Sequence, residues 1–167
     1  MKNSAGKYVY YDTWTSLSRA HRVVYKIRDR ELMAKCGISI EQSGILFLLA
    51  SLDHSPTLTE ICQYLVREPH TVFVTTNGMA KLGLLEKSRD SKRKNVCRFT
   101  LTEKGLKVYR SSTERKSLNY IMSVLSEEER RQLVSSLDKI LKRGIKLSGH
   151  NHKLLYPSAQ LERDSKI

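Results

Sequence analysis

The sequence predicts a mainly α-helical fold with one small β-hairpin, and three observations carry that reading. Two short helical segments are separated only by a brief turn at Arg67 and Glu68. Apolar and polar residues then alternate around a basic tip, with the period of two that marks a hairpin. Long helical periodicities bracket this centre on both sides.

The first helix is read over residues 13–35, where Trp14, Leu17, His21 and Val24 recur at helical spacing and no Pro or Gly intervenes. It stops at Gly37. Ser39 with Gln42 is a capping box, whose side chains satisfy free backbone N–H groups, and it opens an apolar helix through Leu52. Pro56 closes that segment. Thr57 with Glu60 repeats the spacing and starts a third helix, Leu58 to Val66, with Ile61, Cys62 and Leu65 inward. Pro69 stands at a first helical position, where a missing N–H costs nothing, so a fourth helix runs to Leu82 and ends at Gly83.

Two helices joined so tightly match a helix-turn-helix. Leu84–Lys87, a charged tip over Ser88–Asn95, and the alternation of Cys97, Phe99 and Leu101 add a hairpin directly behind it. The combination is a winged helix-turn-helix, assigned to residues 37–102. Thr102 caps a long helix over 103–125, and Ser126 with Glu129 opens a last one over 127–147. Their apolar stripes exceed what a small winged core can cover. Residues 1–36 and 103–147 are therefore expected to pack against a second copy as a helical dimerisation region, with 148–167 a flexible tail.

The chain has 167 residues with Lys+Arg 30 against Asp+Glu 17, a net charge of +13. The excess is local: residues 36–66 carry three acids and no base, whereas 67–110 carry eleven bases against four acids. Such a focused positive field fits phosphate contact, because each bound cation releases a condensed counterion. The longest apolar run, Gly44–Ala50, is far short of the roughly 20 residues that span a bilayer. No membrane partner and no secretory signal are expected, and the protein is placed in the cytoplasm. Cys36, Cys62 and Cys97 lack any Cys-x-x-Cys pair, which argues against a disulfide framework or structural zinc. No cofactor is expected. A Gly-rich phosphate loop, a metal-ligand cluster and a nucleophile with placed partners are all missing, so enzyme function has no support.

On the fourth helix Val72, Thr76 and Met79 share one face, while His70, Val74, Asn77 and Lys81 share the opposite one. The second set, with Thr71 beside it, is expected to meet the major groove. There His and Asn can bond purine edges and Val can meet a thymine methyl. Phe73 at the edge is expected to pack on the domain. Arg89, Lys92, Arg93 and Lys94 at the hairpin tip are read as phosphate or minor-groove contacts, because adjacent bases repel without an anionic partner. Cys62 and Cys97 are read as inward thiols and Cys36 as a loop residue.

The order of elements, together with Ser39-Ile-Glu-Gln42, Thr57-Leu-Thr-Glu-Ile-Cys62, Lys81-Leu-Gly-Leu-Leu85 and Leu101-Thr-Glu-Lys-Gly105, resembles the MarR family of transcriptional regulators over roughly residues 12–147. That resemblance implies a homodimer on a pseudo-palindromic operator in double-stranded DNA, commonly with affinity altered by a small ligand or oxidant. It also implies a ligand cleft beside the first helix, for which Trp14, His21 and Tyr25 are candidates; the basic charge favours an anionic or aromatic effector. Two departures stand out. Phe73 and Val74 occupy places where the family usually offers Ser/Thr and Arg, and the wing tip Asp90-Ser-Lys-Arg-Lys94 only loosely matches an Asp-Arg-Arg turn, with Asp90 expected to brace Arg93. The leading expectation is a dimeric, sequence-specific regulator acting as a repressor. The alternatives are a nonspecific architectural DNA-binding protein and a redox-sensing regulator of the same fold.

Overall fold

The computed structural model describes residues 5–90, 93 and 95–148, so the tail expected over 148–167 lies, beyond Ser148, outside the described residues. Seven helices and one hairpin are described: α1 Ala5–Cys36, α2 Ile40–Ser51, α3 Leu58–Leu65, α4 Pro69–Lys81, β1 Leu85–Arg89, β2 Cys97–Leu101, α5 Glu103–Ser112, α6 Lys116–Met122 and α7 Glu127–Ser148. Both internal capping boxes form as the sequence indicates. Ser39 and Gln42 exchange bonds at the start of α2, and Thr57 and Glu60 do so at the start of α3. The hairpin is antiparallel, with Leu85 opposite Leu101 and Lys87 opposite Phe99. Gly37 and Gly83 both take positive φ, ending α1 and the turn after α4 where a side chain would be strained.

The core is built by α1, α2, α3, α4, the hairpin and α5. Leu32, Ile45, Leu46, Leu48, Ile61, Val72, Met79, Leu85, Phe99 and Tyr109 are all buried in it. Apolar area removed from water holds this unit together.

Two expectations need correction. Helix α1 begins at Ala5 rather than at residue 13, because the apolar stripe used to find it starts later than the helix does. The single helix expected over 103–125 is broken at Thr113–Arg115 into α5 and α6. The cause is a pair of charged residues on α1. The buried Arg28 guanidinium donates to the carbonyls of Ser112 (2.6 Å) and Glu114 (3.1 Å), which a continuous helix would have used for its own ladder. Glu31 accepts from the Ser117 N–H and hydroxyl at the opening turn of α6. A cation thus closes one helix and a carboxylate opens the next, each matching the local dipole.

In a single chain α7 has no buried residue, and Leu133, Val134, Ile140 and Leu141 on it stay about half exposed. Tyr10, Tyr11 and Trp14 on α1 are more exposed still. Among the described residues, no single helix is long and apolar enough to cross a membrane.

Candidate nucleic-acid interface

The second helix of the helix-turn-helix, α4, is held by its inner face: Val72, Thr76 and Met79 are buried. His70, Thr71, Val74 and Lys81 are exposed on the outside. Asn77 lies between these extremes, half-buried, and its Oδ1 accepts a hydrogen bond from the Lys87 ammonium on β1. Phe73, expected to pack on the domain, is instead 51% exposed, and its ring lies against Lys87 with the ammonium 5.8 Å from the ring centre.

The far end of α4 is fixed by the Leu101-Thr-Glu-Lys-Gly105 segment. Thr102 donates its hydroxyl to the Gly83 carbonyl (2.7 Å) and accepts from the Gly105 N–H (3.0 Å), while Lys104 donates to the Leu82 carbonyl (2.7 Å). Gly105 passes so close to the Leu84 carbonyl oxygen that a Cβ there would sit 1.9 Å from it. The motif therefore ties the end of α4 to the start of α5 and sets the root of the wing.

The wing is braced differently from the sequence reading. Asp90, 7% exposed, takes the Arg98 guanidinium at 2.5 Å, and Arg98 also donates to the Ser55 carbonyl at 2.7 Å. Arg93, expected to be the braced side chain, reaches Asp90 only through its backbone N–H (2.9 Å). The reason is position: Arg98 lies on β2 beside the chain entering α3, where the Phe99 N–H also bonds the Pro56 carbonyl. The Arg93 side chain is left exposed, as is Arg89. Lys92 and Lys94 fall outside the described residues.

Of the three thiols, Cys62 is inward as expected and the other two differ from expectation. Cys62 is buried, and burial pushes its pKa up. Cys97 is exposed, although it alternates in phase with buried Phe99, because the hairpin projects beyond the core at that point. Cys36 is the last residue of α1 rather than a loop residue.

A second feature is a cleft of about 640 Å³ bounded by α1, α2, α6 and α7. His21 and Tyr25 line it, their ring centres 5.6 Å apart, with Leu17, Val24, Leu137 and Ile140 among its apolar walls. Trp14 does not line it and stands largely exposed on α1. The Tyr25 hydroxyl donates to Glu41 (3.0 Å), and burial together with that bond pushes its pKa up to about 12. The same Glu41 oxygen receives the Arg67 guanidinium at 2.6 Å, in the turn before α4.

Sequence reasoning passed over Lys87, Arg98 and Arg28. Lys87 carried a usable signal, since strand alternation puts it in phase with buried Leu85, where a cation is out of place without a partner. Arg28 and Arg98 carried none, because their carbonyl partners lie far off in sequence.

Residues 41–105 match the family model described as a winged helix DNA-binding domain. No curated protein sequence matches the chain. Among solved structures, the chain is similar to an organohalide-sensing transcriptional regulator in its 2,4-dichlorophenol-bound form, at 25% identity and TM-score 0.81, with 89% of each chain covered. It is also similar to AbsC, a MarR family transcriptional regulator from Streptomyces coelicolor, at 16% identity and TM-score 0.75, covering 84% of this chain and 95% of that one. A third is MepR from S. aureus, in a DNA complex, at 24% identity and TM-score 0.69, covering 81% of this chain and 98% of that one. Residues 41–105 are thus a winged helix DNA-binding domain, and over most of its length the chain shares the fold of solved transcriptional regulators, a MarR family member among them.

Proposed function

We propose that the chain acts as a homodimeric repressor that recognises a pseudo-palindromic operator in double-stranded DNA. The observation that carries this reading is the uncovered outer face of α4, with His70, Thr71, Val74 and Lys81 exposed beside the cations of a braced wing. In this assignment His70, Val74 and Asn77 read base edges, Thr71 and Lys81 support them, and Arg89, Lys92, Arg93 and Lys94 anchor phosphates. The exposed apolar residues of α1, α6 and α7 support a second copy packing there, with 37–102 as the DNA-binding unit and 1–36 with 103–147 as the dimer layer.

The cleft beside α1 supports control by a small aromatic ligand, held against His21 and Tyr25. Trp14 has no part in it. An anionic effector is the weaker choice, because Arg28, the cation at the cleft, already serves Glu31 and two carbonyls. The similar organohalide-sensing regulator holds 2,4-dichlorophenol, a compact aromatic, which favours the same class here.

The test is competition at equal salt: a sequence-specific regulator prefers its operator over unrelated DNA by roughly 10³-fold or more. Replacing Asn77 by Ala is expected to cost about 1–3 kcal/mol and to relax preference at one position per half-site. A second reading, a nonspecific architectural binder, draws on the apolar Phe73 and Val74 exposed where base readers belong. Equal affinity for all sequences would establish it.

A further inference from the structure

The contact between Lys87 and Asn77 bears on which bases this face accepts. Lys87 projects from β1 at the position paired with Phe99, and its ammonium lies 5.7 Å from the centre of the Phe99 ring and 5.8 Å from that of Phe73. Those distances are within the range of cation–π attraction, so the head group is held from two sides. From that place it donates to Oδ1 of Asn77. A carboxamide has one oxygen that accepts and one NH2 group that donates. The oxygen here is turned towards the wing strand and faces a cation that has donors only. A flipped amide would set its NH2 against the ammonium, so the orientation is fixed by charge.

The usual way for Asn to read adenine is bidentate: the oxygen accepts from N6–H while the NH2 donates to N7, with both groups aimed at one base edge. An amide whose oxygen is turned to the wing strand no longer aims oxygen and NH2 together at one base edge, and it presents its NH2 to the groove. Guanine, with N7 and O6, and thymine, with O4, present acceptors to such a donor, whereas adenine sets beside its N7 acceptor an N6–H2 donor that would be left without a partner. The geometry points to Lys87 as a positioning residue that converts Asn77 from an adenine reader into a donor-only reader of acceptor-bearing edges. This rests on Asn77 facing the groove, as assigned above. It makes a wing-strand residue part of the specificity of α4 without any contact of its own to a base.

Selection from random duplex DNA, followed by sequencing, tests this with the full chain and needs no known operator. Three proteins are compared: the wild type, Lys87→Met, which keeps an apolar stem between the two rings but removes the ammonium, and Asn77→Ala. Lys87 is exposed, so the Met variant is expected to melt with the wild type. The expected result is a wild-type motif in which the one half-site position lost in Asn77→Ala carries guanine or thymine. At that position alone, Lys87→Met raises adenine by roughly tenfold, in line with the discrimination of one bidentate pair. Three results overturn the inference while leaving sequence-specific binding in place: adenine already preferred at that position by the wild type, an unchanged motif in Lys87→Met, or no position altered by Asn77→Ala. A Lys87→Met variant weakened equally on every sequence also overturns it, since Lys87 is then a phosphate anchor. A wild type that selects no motif at all overturns the proposed function itself, and this inference with it.

Discussion

Asp90 and Gly105 carry more of the wing's geometry than their size suggests. Asp90 is buried and receives both the Arg98 guanidinium and the Arg93 N–H, so Asp90→Asn removes a charged acceptor from a fork that has little solvent to replace it. We expect a loss of about 2 kcal/mol in denaturant unfolding. Because the hairpin's anchorage to Ser55 loosens without changing any base reader, DNA affinity should fall alike for all sequences. Gly105 has the opposite problem, since there is no room for even a methyl group. Gly105→Ala puts Cβ against the Leu84 carbonyl oxygen, a backbone atom that cannot swing away, and about 3 kcal/mol of stability should be lost when melts are compared at equal protein concentration. The Gly of the Leu-Thr-x-x-Gly segment was readable as a motif in the sequence. Its reason was not, because the oxygen it must avoid belongs to the residue opening the wing.

The elements show the same division. Helix starts at Ser39, Thr57, Thr102 and Ser126 were legible because a cap and its partner lie three residues apart. The break between α5 and α6 was not, because its cause sits on α1. Removing it should be costly: Arg28→Met leaves the Ser112 and Glu114 carbonyls unpaired and Glu31 without its cation, and we expect a loss of about 3 kcal/mol in urea unfolding. Lys should rescue only part of this, since one ammonium cannot reproduce the guanidinium fork. The same junction predicts a pH dependence. Burial works to raise the Glu31 pKa, but bonds from Ser117 and Arg28 outweigh it and hold the carboxyl below its ordinary 4.5. A depressed carboxylate stabilises the fold above its unfolded pKa, and that contribution is lost as pH falls through the lower folded value. Acid titration of unfolding free energy should therefore drop less steeply below about pH 4.5 in Glu31→Gln than in the wild type.

At the scale of the whole molecule, apolar residues of α1, α6 and α7 stand exposed, and if they form the proposed dimer layer, sedimentation of the full protein should report a dimer. Deleting residues 127–167 should give a monomer or an insoluble chain; a well-behaved full-length monomer would sink the proposed assembly. Determined by the sequence alone were the helix-turn-helix, the hairpin behind it, and the inward set Val72, Thr76 and Met79, because capping, periodicity and strand alternation are local and act over a few residues. Only the tertiary structure decided that Arg98 rather than Arg93 is the side chain Asp90 braces, that Cys97 is exposed, that Trp14 stands outside the cleft, and that Lys87 turns the amide of Asn77. Each of those depends on which residues from distant elements arrive at one place. No sequence period encodes that arrival, because it is settled by how the apolar faces of separate elements close on one core.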